Sequence, residues 1–200
     1  MSTLNPKGKV LFIIHDVYQE DNDFPLGIGY LAAALKKEGA EVKICCQDVF
    51  HYSNEEMAEK FLKNEEYDLI GLGFKAARFR ETILGLCETI NKFKKGAWLV
   101  LGGHGPSSIP EYMLEKTGAD IAAIGEAEET IIELLRCKLE DGDLSQIKGI
   151  AYQGKDSVKV NERRGLIMNL DSLPFPEWSL FPMEKYTNCL ELFGGEKGDK

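Results

Sequence analysis

The sequence predicts an α/β fold: a doubly wound, five-stranded parallel sheet followed by a small antiparallel β-hairpin extension. Three observations predict it. Short apolar runs alternate with helix-length segments five times within the first 140 residues. Those runs are mostly continuous rather than alternating, as strands covered on both faces require. Beyond residue 140 the pattern changes to two short strand-like runs around a turn-rich tetrapeptide.

Lys9-Val-Leu-Phe-Ile-Ile14 is the first strand. Leu26 to Glu38 reads as a helix stopped by Gly39, and Glu41 to Cys45 as the second strand. Ser53-Asn-Glu-Glu56 has the spacing of a capping box, which opens a helix to about Asn64. Asp68-Leu-Ile-Gly-Leu-Gly73 is the third strand. Phe79, Ile83, Leu86, Ile90 and Phe93 recur at spacings of four and three and form one apolar helix face, closed by Gly96.

Ala97 to Leu101 is the fourth strand, and Pro110 to Lys116 a helix with proline in its first turn. Asp120 to Ile124 is the fifth strand and Glu126 to Leu139 the fifth helix. Right-handed crossovers between these repeats give the flavodoxin-like order 2-1-3-4-5. Ile147–Tyr152 and Ser157–Val160 then flank Gln153-Gly-Lys-Asp156 as a hairpin, and Gly165 to Leu170 reads as a third strand of it. Leu173-Pro-Phe-Pro-Glu-Trp178 is excluded from regular structure by its prolines, and the tail Gly194 to Lys200 reads as flexible. The expected division is 1–140 for the sheet domain, 141–172 for the hairpin extension and 173–200 for a linker.

A hydrophobic fraction of 44 % supports a packed core, and a net charge of −9 disfavours nucleic acid or an anionic membrane as a partner. No apolar run is long enough to span a bilayer and the N-terminus lacks a signal-peptide pattern, so a cytoplasmic location is expected. The five cysteines, Cys45, Cys46, Cys87, Cys137 and Cys189, include no C-x-x-C pair and read as structural or incidental thiols. Three scattered histidines have no metal-ligand spacing, so no metal site is expected.

In a parallel sheet the loops leaving the strands share one edge, where ligands bind. His15 and Asp16, then Phe74 and Lys75, then Gly102 through Ser108, then Gly125, Glu126 and Glu128 are brought to that edge. Gly102-Gly103 lets backbone approach a ligand, with His104 beside it as donor or loop cap. Glu126, Glu128 and Glu129 are favoured by the helix dipole whatever their function. Gly27-Ile-Gly-Tyr-Leu-Ala32 is formally G-x-G-x-x-A, but about a dozen residues separate it from the first strand, where a dinucleotide fold needs direct succession. No Ser-His-Asp elbow, Walker loop or paired-carboxylate pattern is present, and no catalytic residue is assigned.

Taken together, Pro25 to Leu35, Asp68 to Gly73, Leu101-Gly-Gly-His-Gly-Pro-Ser107 with Ser108, Asp120 through Thr130, Gly149-Ile-Ala-Tyr152 and Leu173 to Tyr186 resemble the N-terminal cobalamin-binding domain of cobalamin-dependent radical S-adenosylmethionine enzymes. The resemblance spans nearly the whole chain and implies a cobalamin site. Leu26, Gly27, Phe74 and Lys75 would form the floor under the corrin. Gly102, Gly103 and Gly125 would leave room for the tail between strands four and five, flanked by His104, Gly105, Pro106 and Glu126. It also implies a radical S-adenosylmethionine barrel in cis, which alone would hold a four-iron–four-sulfur cluster and S-adenosylmethionine.

Two departures qualify that implication. The C-x-x-x-C-x-x-C cluster motif is absent, since Phe193 stands four positions after Cys189, which reads as a fragment without the barrel. The D-x-H-x-x-G pattern that supplies a cobalt ligand is also missing at His15-Asp-Val-Tyr-Gln-Glu20, so cobalt ligation by histidine is not expected. A domain of the same family that keeps a structural or substrate-docking role without corrin remains open. A standalone flavodoxin-like binding or signalling protein is the other alternative, although Gly73-Phe-Lys75 replaces the phosphorylatable aspartate of a receiver domain.

Overall fold

The computed structural model describes residues 8–16, 24–75 and 80–187. Its elements are β1 (Lys9–Ile14), α1 (Leu26–Lys37), β2 (Glu41–Cys46), α2 (Gln47–Phe50), α3 (Asn54–Met57), β3 (Leu69–Gly73), α4 (Arg80–Phe93) and β4 (Trp98–Gly102). They continue with α5 (His104–Ser108), α6 (Pro110–Thr117), β5 (Ile121–Ala123), α7 (Glu128–Leu139), β6 (Ile150–Gln153), β7 (Val158–Val160) and α8 (Met183–Thr187). The strands form a seven-stranded sheet in the order β2-β1-β3-β4-β5-β6-β7. The first five are parallel in the order 2-1-3-4-5, and the hairpin β6–β7 adds antiparallel to β5. The hairpin therefore extends the same sheet.

Strand alternation sorts the core into two layers. Leu11, Ile13, Ile70, Leu72, Leu99 and Leu101 face α4 and α6, while Val10, Phe12, Leu69, Val100 and Ile121 face α1 and α7. Ile83, Leu86 and Ile90 of α4 are buried as their spacing predicts; Phe79 lies outside the described residues. The Ser53–Glu56 capping box is formed, and the helix it opens continues as a π-helical turn over Ala58–Leu62. At the amino edge of the sheet two carboxylates tie neighbouring strands. Asp68 accepts from the Lys9 N–H at 2.7 Å, and Asp120 accepts from the Leu99 N–H at 2.7 Å.

Gly165 to Leu170 is not a strand. The chain leaves β7 and turns back toward α7, because Asn161 donates to the Leu144 and Ile147 carbonyls and Gly149 N–H bonds the Glu162 carbonyl. Arg164 then donates to Thr130, Glu129 and Glu133 on α7. Leu170–Ser172 is a 3-10 turn instead. Beyond the irregular prolines, Phe181 and Tyr186 pack with Phe24, Val49 and Cys46 beside α1. The tail Gly194 to Lys200, Cys189 and the loop Val17 to Asp23 lie outside the described residues.

Candidate functional site

Because β1, β3, β4 and β5 are parallel, their exits open at one edge of the sheet. There lies a cavity of about 520 Å³, within the range of roughly 300–1,000 Å³ usual for ligand sites. It descends from the rim between the sheet and the helices α1 and α7. Phe12, Val100, Leu31, Ile131 and Leu134 give its depth apolar walls.

Glycines keep that slot open. On β3, Gly71 and Gly73 alternate with Ile70 and Leu72, so both glycines face α1 and α7. Gly73 pairs in register with Gly102 of β4. A Cβ at Gly102, Gly27 or Gly125 would meet nothing within 4 Å, and one at Gly73 only the Gly102 carbonyl at 3.8 Å. Side chains at these positions would grow into the void. Gly71 differs, since its Cβ would strike the Phe12 ring at 2.5 Å; it seats the ring that walls the slot.

The exits are fastened to one another. Phe74 N–H donates to the Gly102 carbonyl and Gly105 N–H to the Phe74 carbonyl, each at 3.1 Å. Ser107 accepts from the Gly125 N–H at 3.2 Å and donates to the Ala123 carbonyl at 3.3 Å. Gly103 has φ +88°, and a Cβ there would stand 2.8 Å from the Phe74 carbonyl oxygen. This backbone is open to glycine alone.

Ten of the residues singled out from sequence line the cavity: Leu26, Gly27, Phe74, Lys75, Gly102, Gly103, His104, Gly125, Glu126 and Glu128. Their roles differ from a uniform floor. Phe74 turns its ring into the opposite core layer and brings backbone to the cavity. Gly105 and Pro106 are buried outside the lining, and a Cβ on Gly105 would strike the Phe74 ring at 2.8 Å. The slot spans β1, β3, β4 and β5. Glu126 is committed to the fold, because its Oε2 accepts from the Ile167 N–H at 2.6 Å. Gly71, Gly73, Phe12 and Val100 were not in the predicted set. The alternating Gly71-Leu72-Gly73 was the available signal.

His15 directly follows β1, is 7 % exposed and packs edge-on to Phe74. Burial pushes its imidazole pKa down to about 4, against Asp16 and a Gly73 backbone hydrogen bond that favour the proton. It stands as a neutral strand-end histidine outside the cavity lining. His51 bonds Asp16 at 2.8 Å. Cys45, Cys46, Cys87 and Cys137 are buried and unbridged. Burial holds the Cys46 thiol up at about 11 and that of Cys87 at about 12, so both are inert. Among the described residues no cluster of three metal-ligating side chains forms, and no helix is long and apolar enough to cross a membrane.

The slot is apolar and floored by glycine, and comparisons with known proteins identify the family of the domain that carries it. The B12 binding domain family matches residues 21–135. An uncharacterized methyltransferase of Pyrococcus horikoshii is 30% identical over 165 residues, covering 81% of this chain and 35% of that protein. The cytidylyl-2-hydroxyethylphosphonate methyltransferase of Streptomyces wedmorensis is 27% identical over 204 residues, 82% of this chain and 38% of that protein. The chain thus spans little more than a third of the length of these relatives. In fold it is similar to TsrM, a radical S-adenosylmethionine methyltransferase from Kitasatospora setae solved with cobalamin and a [4Fe-4S] cluster bound. The TM-score is 0.72 at 19% identity, over 86% of this chain and 31% of that one. The family match takes in α1, β3, β4, β5 and most of α7, which with Phe12 of β1 wall the slot, and by that match over more than half its length the chain belongs to the B12 binding domain family.

Proposed function

We propose that this domain holds cobalamin, with the tail in the glycine-floored slot and without histidine on the cobalt. The open space over Gly73 and Gly102 carries the reading. The walls Phe12, Val100, Ile131 and Leu134 would take the flat benzimidazole, and Leu26, Gly27 and Lys75 at the rim would support the corrin. The burial of His15 outside the lining supports an unligated lower face. When bound, cobalamin supplies a cobalt that carries a transferable methyl group. The domain's own residues would bind and orient it.

We further propose that the whole protein is a radical S-adenosylmethionine methyltransferase. A barrel in cis would hold the four-iron–four-sulfur cluster and S-adenosylmethionine, with residues 173–200 as the connection and 141–172 as a sheet extension of the domain 1–140. The methyltransferase names of the relatives support this. So does a row of large apolar side chains with no cover in the domain: Leu166 is 73% exposed, Met168 92%, Leu170 64% and Phe175 88%. The stretch is anchored at both ends, by Ile167 on Glu126 and by Glu177 N–H on the Gly29 carbonyl at 3.1 Å. The test is to add hydroxocobalamin to the purified 200-residue chain and desalt. Near-stoichiometric corrin absorbance in the protein fraction is expected; its absence would favour a domain of this family that carries no corrin.

A further inference from the structure

Four acids crowd the start of α7, and three are engaged. Glu126 Oε2 accepts from the Ile167 N–H, and Glu129 and Glu133 each accept from Arg164. Glu128 is different. It lines the cavity, and its Oε2 is buried with no hydrogen-bond partner among the described residues. The helix dipole favours an acid at this position, but a solvated carboxylate satisfies the dipole equally well. Burying an acceptor unpaired is costly, so an oxygen kept in that state has its partner elsewhere.

We propose that Glu128 is a cofactor-binding residue that accepts a hydrogen bond from a neutral donor of the bound cobamide. This rests on the cobalamin reading above. A carboxylate repels the phosphodiester of the nucleotide tail, so the donor is a neutral N–H or O–H. A cobamide offers two groups of these: the amide N–H bonds of the corrin side chains and the ribose hydroxyls of the tail. The residue would then act in specificity, since a flavin or other cofactor presenting phosphate at this point would meet like charge.

The test measures dissociation constants of aquacobalamin and of cobinamide, which keeps the rim carboxamides but lacks the ribose, for the whole chain and for Glu128→Ala and Glu128→Gln. Apo melting temperatures are measured alongside. The expected result is a loss of roughly 10- to 100-fold in cobalamin affinity for Glu128→Ala, the scale of a hydrogen bond to a charged group. Glu128→Gln lies between, and neither apo protein melts lower than wild type. An equal loss for cobinamide identifies an amide of the corrin side chains, and a loss confined to cobalamin a ribose hydroxyl. Tight binding by wild type with unchanged affinity in Glu128→Ala overturns this assignment alone. So does a weakened affinity that tracks a lowered apo melting temperature. Failure of wild type to bind either corrinoid overturns the cobalamin reading and this assignment with it.

Discussion

Gly73 and Gly102 lie side by side at the carboxyl ends of β3 and β4, paired in register, and the space above both is open. Neither has a positive φ, so a side chain is compatible with the backbone at both. Gly102→Leu is therefore expected to fold with a melting temperature near wild type and to bind hydroxocobalamin at least roughly 100-fold more weakly, because its side chain occupies the slot. Gly102→Ala is expected to be milder. Absorbance titration with thermal melting checks both.

Gly103, one residue on, should behave in the opposite way. Its φ of +88° and the 2.8 Å approach to the Phe74 carbonyl leave no relaxed place for a Cβ. Gly103→Ala is expected to cost about 1–3 kcal/mol in denaturant unfolding, with or without corrin.

Asp48 gives the fold a pH dependence of unusual sign. It is 6 % exposed, and burial raises its pKa to about 6, against a Tyr186 hydroxyl that donates to both carboxylate oxygens at 2.9 and 3.1 Å. Nearby Asp16 adds to the rise. A carboxyl with a folded pKa above its unfolded value binds its proton more tightly when folded, so its contribution falls as pH rises from about 4 to about 6. Asp48→Asn removes that penalty. It is expected to raise stability by about 1–3 kcal/mol at pH 7.5 relative to wild type and to give a smaller gain at pH 4.5, read from urea unfolding at both pH values. A gain of the same size at both would show that charge burial is not the cause.

Arg164 holds the chain after the hairpin against α7 through Thr130 at 3.0 Å and Glu129 at 3.1 Å, together with Glu133. Its side chain is only 13% exposed, so these bonds are screened less than those of a surface pair. Arg164→Met is expected to destabilise by about 1–3 kcal/mol and to speed hydrogen exchange over residues 161–168 ahead of the sheet.

The sheet was legible because its signals are local. Continuous runs such as Lys9–Ile14, a capping box at Ser53 and the spacing of Ile83, Leu86 and Ile90 each encode their element without outside help. The common edge followed from parallel connection, so most of the rim residues were legible too. What depended on distant partners was not. The alternation Leu166, Met168, Leu170 has the period of a strand, yet all three side chains are exposed, and the period reports a face with no partner in this domain. The engagement of Glu126 by Ile167, 41 residues later, leaves no local trace. Nor does the isolation of Glu128, which differs from its neighbours only in where their partners fall. The double glycine Gly102-Gly103 falls in the cavity lining but joins two different roles, open space at the first and close backbone packing at the second.

The claim that the benzimidazole tail occupies the slot, away from the cobalt, is tested most directly by electron paramagnetic resonance of the whole chain loaded with cob(II)alamin. The account predicts a five-coordinate or weaker axial field without nitrogen superhyperfine splitting. A resolved axial nitrogen splitting would contradict it, because the base would then still be on the cobalt, or a histidine would have taken its place.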